Sequence, residues 1–200
     1  MFGLTRSIIG SVLAVAGAYA VKKSKITKKR KWVFLMSLSI VVLVFISCMF
    51  PIENTLITFE SSEKAFRYYY PSGVRLVVNG NETDFVVGQS NDYLILPKSE
   101  KGWKTSTNQE LELLCSKPLD KAIFANVYKH KKYEDLYIVI YSSQGNLNEI
   151  RDNAVSEFYS LKNPTAEKYC SYFAYINSND KPYYITINGK DILIGDFSKS

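Results

Sequence analysis

The sequence predicts an α+β protein: an N-terminal transmembrane helix, then a strand-rich antiparallel extracytoplasmic domain with one or two short helices. Three observations carry this expectation. Trp32–Phe50 is a run of 19 uncharged residues. A cluster of basic residues lies directly before it. Beyond it, short β-branched and aromatic runs alternate with Asn- and Gly-rich turns.

Taken as a helix, Trp32–Phe50 is about 28 Å long, close to the roughly 30 Å hydrocarbon core of a bilayer. Pro51 ends it, and Trp32 and Phe50 suit the two interfaces. Lys22, Lys23, Lys25, Lys28, Lys29, Arg30 and Lys31 precede the span, and no acidic residue occurs before Glu53. Basic flanks stay in the cytoplasm, which places residues 51–200 outside. Residues 1–31 hold 8 of the 25 Lys and Arg and none of the 19 Asp and Glu, leaving 17 basic against 19 acidic residues beyond. The pI near 9 therefore belongs to the 22–31 collar, which attracts anionic lipid headgroups, and gives no reason to expect nucleic acid as a partner.

Two rival readings of the span are weighed. Signal peptidase needs small residues at two positions before its cut, and Phe45-Ile46-Ser47-Cys48-Met49 lacks that pair. Ser47-Cys48 fits the end of a lipobox, which would make the chain a lipoprotein modified at Cys48, but Phe45 is bulky for that motif. An uncleaved anchor is the expectation. Upstream, residues 1–21 form an apolar segment rich in small residues. At helical spacing Gly3, Ser7, Gly10, Ala14 and Gly17 make a seam along which membrane helices could approach closely. The segment is read as an interfacial helix or as a second membrane helix in a two-pass hairpin.

The outer domain, 51–200, is long enough for one core. SSEKAFRYYYPSG (61–73) predicts a helix with a Ser cap, an apolar face of Ala65, Phe66 and Tyr69, and a stop at Pro71 and Gly73. LVVN (76–79), DFVVG (84–88), YLILP (93–97), ELELLC (110–115), AIFANVY (122–128) and DLYIVIYS (135–142) predict strands. LNEIRDNAVSEFYSL (147–161) places Ile150, Ala154, Phe158 and Leu161 on one helical face. YYITI-NG-KDILI (183–194) predicts a hairpin turning at Asn188-Gly189. No repeat of 20–50 residues is apparent.

Chemistry is sparse. His130, the single histidine, falls between two strand runs, where a solvated turn is expected, without a second metal ligand or a triad. Glu134-Asp135 and Glu110/Glu112 read as turn and strand-face charges. No nucleophile elbow, P-loop, H-E-x-x-H or C-x-x-C occurs. No catalytic residue, metal ligand or cofactor is expected. Cys115 and Cys170 could bridge on an oxidising side; two buried free thiols are the alternative. Of 15 tyrosines all but Tyr19 follow residue 50, notably Tyr68–Tyr70, Tyr137/Tyr141, Tyr172/Tyr175 and Tyr183-Tyr184. They suit either an exposed platform for sugar rings or a partner, or rings half-buried in strands with wet hydroxyls.

The order of basic collar, span, SEKAFRYYYPSG, YLILPKSEKGWK and YYITINGK resembles small membrane-anchored proteins of Gram-positive bacteria. In these, a span precedes a short aromatic helix and a strand-rich outer domain. The resemblance implies a plasma-membrane location and carries no functional residue with it; segment 1–21 lies outside its pattern. Two function classes follow: a membrane-anchored extracytoplasmic module that binds a cell-wall component or another membrane protein, and a cell-surface hydrolase with a site assembled from scattered Asp, Glu and Tyr. The module is the favoured expectation. Converging carboxylates in an apolar cleft would favour the enzyme.

Overall fold

The computed structural model describes residues 56–197, apart from 148, 164, 165, 167 and 178–181, together with Tyr19, Trp32, Met36, Ser37, Ser39, Ile40 and Asn54. The expected seam (Gly3, Ser7, Gly10, Ala14, Gly17), the Lys22–Lys31 collar, Cys48 and most of the Trp32–Phe50 span lie outside the described residues. Among the described residues, no helix is long and apolar enough to cross a membrane.

A helix, α1 (Ser62–Tyr69), starts where its cap demands: the Ser61 side chain accepts the Lys64 N–H, satisfying one of the unpaired donors of the first turn. Ala65 and Phe66 are its buried face. Four antiparallel strands follow: β1 (Val74–Asn79), β2 (Thr83–Gly88), β3 (Tyr93–Ser99) and β4 (Gly102–Trp103), ordered β1-β2-β3-β4. A second sheet has the order β5-β6-β7-β10-β9, from β5 (Leu111–Asp120), β6 (Ile123–His130), β7 (Leu136–Ser142), β9 (Tyr159–Lys162) and β10 (Cys170–Ile176). A third sheet joins β8 (Ile150–Asp152), β11 (Pro182–Ile187) and β12 (Lys190–Asp196) in the order β12-β11-β8. Asn188 and Gly189 both take positive φ, 52° and 75°, as a type I′ hairpin turn requires.

The layers stack as helix, first sheet, second sheet, third sheet, with a separate apolar core in each gap. Phe66 packs on Val86, Leu94 and Leu96 of the first sheet. The opposite face, with Val78, Phe85, Val87 and Ile95, meets Tyr137, Val139 and Phe173 of the second sheet. Ile138, Ile140, Ala174 and Ile176 on that sheet's far face meet Tyr183, Ile185 and Ile194 of the third. The second sheet is thus covered on both sides. This explains why β7 reads Leu-Tyr-Ile-Val-Ile-Tyr-Ser without polar alternation, as strands buried on two faces do.

The helix expected over 147–161 is not formed. Its residues supply β8, a turn and β9 instead. Here Asn and Asp side chains bond backbone in competition with a helix. Asp152 accepts the Ser156 N–H at 2.8 Å, and Asn153 bonds both the Pro182 carbonyl and the Tyr184 N–H at 2.9 Å. Val155, with φ 56°, breaks any helical path. β8 pairs with β11 and β9 with β10, partners distant in sequence.

Candidate functional site

The second sheet presents its side chains to the first in transverse rows fixed by strand register. One row is Phe124–Tyr141–Ser171–Leu161, running across β6, β7, β10 and β9. The next is Asn126–Val139–Phe173–Tyr159, and the third is Tyr128–Tyr137–Tyr175. The facing rows of the first sheet are Leu76–Val87–Tyr93 and Val78–Phe85–Ile95. The two sheets close on one another at one end and part at the other.

The closed end is held by a carboxylate. Asp135 accepts the backbone N–H groups of Asn81, Glu82 and Thr83, the Thr83 hydroxyl and the Tyr175 hydroxyl. Tyr137 donates to the Thr83 carbonyl at 2.8 Å. Asp135 is only 4% exposed, so the turn charge expected for it is instead a buried clasp between sheets. Glu134 beside it is exposed, as expected.

The open end is a cleft of about 530 Å³, inside the usual range for small-ligand sites. Val87, Asn91 and Tyr93 form one wall, and the row Phe124, Tyr141, Ser171 and Leu161 forms the other. Phe173 lies at its base, and Asp120, Lys121, Lys162 and Tyr169 stand around the mouth. Arg75 ties β1 to β9 on one side, donating to the Lys162 carbonyl at 2.6 Å and to Asn91 Oδ1 at 3.4 Å. Within the wall, Tyr93 and Tyr128 share a hydrogen bond of 3.0 Å, and Asn126 donates to the Tyr128 hydroxyl at 2.8 Å. Burial pushes the Tyr93 and Tyr141 hydroxyls above the ordinary phenol range, so both are neutral donors.

Several expected features are placed elsewhere. His130 is not a solvated turn residue: it ends β6, is 1% exposed, and lies edge-on to Tyr133. Its Nδ1 accepts the Lys132 N–H, and its Nε2 stands 4.0 Å from Glu110. Burial lowers its pKa from the ordinary imidazole value, outweighing the Glu110 charge. Glu112 is an exposed strand-face charge, as expected, whereas Glu110 accepts the Thr107 N–H in the turn before β5. Cys115 and Cys170 are both free thiols, the second of the two readings the sequence left open, with Cys170 buried and Cys115 half-buried. They sit on β5 and β10 with β6 and β7 between. Three strand spacings alone separate them by about 14 Å, twice the reach of a disulfide.

The tyrosines divide. Tyr128, Tyr137, Tyr172 and Tyr183 are buried, while Tyr159, Tyr169 and Tyr184 are exposed. Tyr141 was legible as a candidate ring. Phe124, Tyr93, Lys121 and Lys162 were not, because only the register of four strands brings them to one opening. Among the described residues no three His, Cys, Asp or Glu side chains converge as metal ligands.

No family model, curated protein or solved structure matches this chain.

Proposed function

We propose that the chain is a membrane-anchored extracytoplasmic binding module, held in the plasma membrane by Trp32–Phe50, whose ligand enters the cleft between the first and second sheets. The anchor and its orientation are supported by the apolar run and the basic collar of the sequence. The observation that carries the binding reading is the outermost row, Phe124–Tyr141–Ser171–Leu161, only partly covered where it lines the cleft between the two sheets. Apolar rings walled by a few neutral polar groups favour a bound organic ligand. The hydrolase reading has less support. Carboxylate chemistry on glycosides uses a pair of acids, and among the described residues Asp120 is the only carboxylate lining the cleft.

The test uses the full chain in nanodiscs and saturation-transfer NMR with a panel of small saccharides and short peptides. At least one class should give a signal that Ser171→Trp, which fills the cleft from its wall, abolishes. A panel in which no signal depends on that substitution overturns the cleft. Protease added to intact cells should digest residues 51–200; protection of that domain overturns the orientation.

A further inference from the structure

We infer that the cleft takes an acidic saccharide: a sugar ring stacked between its aromatic walls, with a carboxylate or phosphate held by the lysines of the mouth. This rests on the binding reading above and names the ligand chemistry for that site.

Three features of the cleft agree on that class. The walls carry aromatic rings from both sheets, Tyr93 (stacked on Phe85) on one side and Phe124 and Tyr141 on the other. Flat aromatic faces pack against the C–H faces of a pyranose while leaving its hydroxyls at the edge. Neutral hydrogen-bonding side chains stand at that edge: Asn91, Ser143, Asn163 and Ser171. These match the donor and acceptor character of sugar hydroxyls without demanding a charge.

The mouth then adds positive charge. Lys121 and Lys162 are exposed there. Among the described residues no carboxylate lies within salt-bridge distance of either ammonium. Among the described residues the single acid lining the cleft, Asp120, has one oxygen occupied by the Lys121 backbone N–H at 2.7 Å. Lys168 Nζ stands 5.3 Å from the ring centroid of Tyr169, adding a third cation beside the mouth. Among the described residues, two lysines line the mouth against one partly engaged carboxylate, a balance that favours an anion.

An extended peptide fits less well. It would pair with the free edge of β9, and the Lys162 carbonyl on that strand is already taken by Arg75.

The experiment titrates the full chain in nanodiscs of zwitterionic lipid with three probes. These are a galacturonic acid tetrasaccharide, its fully methyl-esterified form, and a glycerol phosphate oligomer that has charge but no ring. The basic collar is present in every variant, so differences between variants read the cleft alone. The acid tetrasaccharide should bind about tenfold more tightly than its neutral ester, the effect of one charge-assisted contact. Lys121→Ala with Lys162→Ala should erase that difference, and Ser171→Trp should abolish binding of both. Both lysines are exposed, so an unchanged melting temperature in the double variant separates lost binding from lost fold.

Equal affinity for acid and ester overturns the inference while leaving the cleft reading intact. Glycerol phosphate binding as tightly as the acid tetrasaccharide overturns the requirement for a ring. Binding of all probes that ignores Ser171→Trp overturns the cleft reading itself.

Discussion

Asp135, just before β7, and Thr83, the first residue of β2, are joined twice through one oxygen: Asp135 Oδ2 accepts the Thr83 backbone N–H at 2.6 Å and its hydroxyl at 2.9 Å. The N–H groups of Asn81 and Glu82 and the Tyr175 hydroxyl complete the set. A buried carboxylate is tolerated because its lone pairs are filled by several donors at once. Asp135→Ala should destabilise the outer domain by about 3 kcal/mol, since several donors lose their acceptor at once. Asp135→Asn should cost less, because it keeps the shape and one acceptor. Urea unfolding of the full chain in detergent measures both. A loss below about 1 kcal/mol for Asp135→Ala would mean the clasp is peripheral.

Two glycines should respond by different mechanisms. A Cβ at Gly80 would fall on the Tyr137 hydroxyl and the Asp135 carboxylate, so Gly80→Ala must push the clasp apart. The cost should exceed about 2 kcal/mol. Gly189 has open space around it but φ 75°, so Gly189→Ala should cost only about 1 kcal/mol through backbone strain. The reverse order in parallel melting curves would contradict the packing at the closed end.

The buried phenols predict alkaline instability. Burial, helped by the Asp135 charge, pushes Tyr175 up to about 12, and burial raises Tyr137 and Tyr183 further. The unfolded chain releases these protons near the ordinary value of 10, while the folded chain retains them. Stability is therefore full below pH 10 and falls as pH rises towards 12 and beyond. Part of the phenolate absorbance, that of the buried rings, should appear only as the domain unfolds. A single reversible step with the fold intact would contradict this burial.

Burial of His130 predicts acid sensitivity. Its folded pKa is lowered from 6.5, so below pH 6.5 the unfolded chain binds a proton that the folded chain resists. Stability should fall as pH drops from that value through the folded pKa, then level off. His130→Phe, which keeps a buried ring, should flatten the slope between pH 7 and 5 in melting curves. An unchanged slope would place the titration on another group.

The thiols give a fifth check on the fold. Cys115 and Cys170 should both react with a thiol reagent after denaturation without reductant. Migration in non-reducing electrophoresis should not change on reduction. A bridge between them would require β6 and β7 to leave the space between β5 and β10.

Elements whose signal is local were legible in the chain. The Ser61 cap and the Pro71–Gly73 stop bounded α1, Asn188-Gly189 forced a tight hairpin, and compact β-branched runs marked β1, β2, β3, β6 and β7. These cues act within a few residues, through backbone sterics and capping hydrogen bonds, so no distant partner is needed to read them. The Lys22–Lys31 collar and the Trp32–Phe50 run are equally local and carry the anchor expectation by themselves. Residues 147–161 were misread because their helical period competed with edge pairing, and pairing with β11 and β10 was decided by strands further along the chain. His130 looked like a solvated turn residue and Asp135 like a turn charge for the same reason: their burial comes from neighbouring sheets and turns, not from their own segment. The cleft is the clearest tertiary product. Tyr93, Phe124, Tyr141, Leu161 and Ser171 share no motif and no spacing; strand register alone sets them in one row or on facing walls, and the parting of two sheets alone leaves them open.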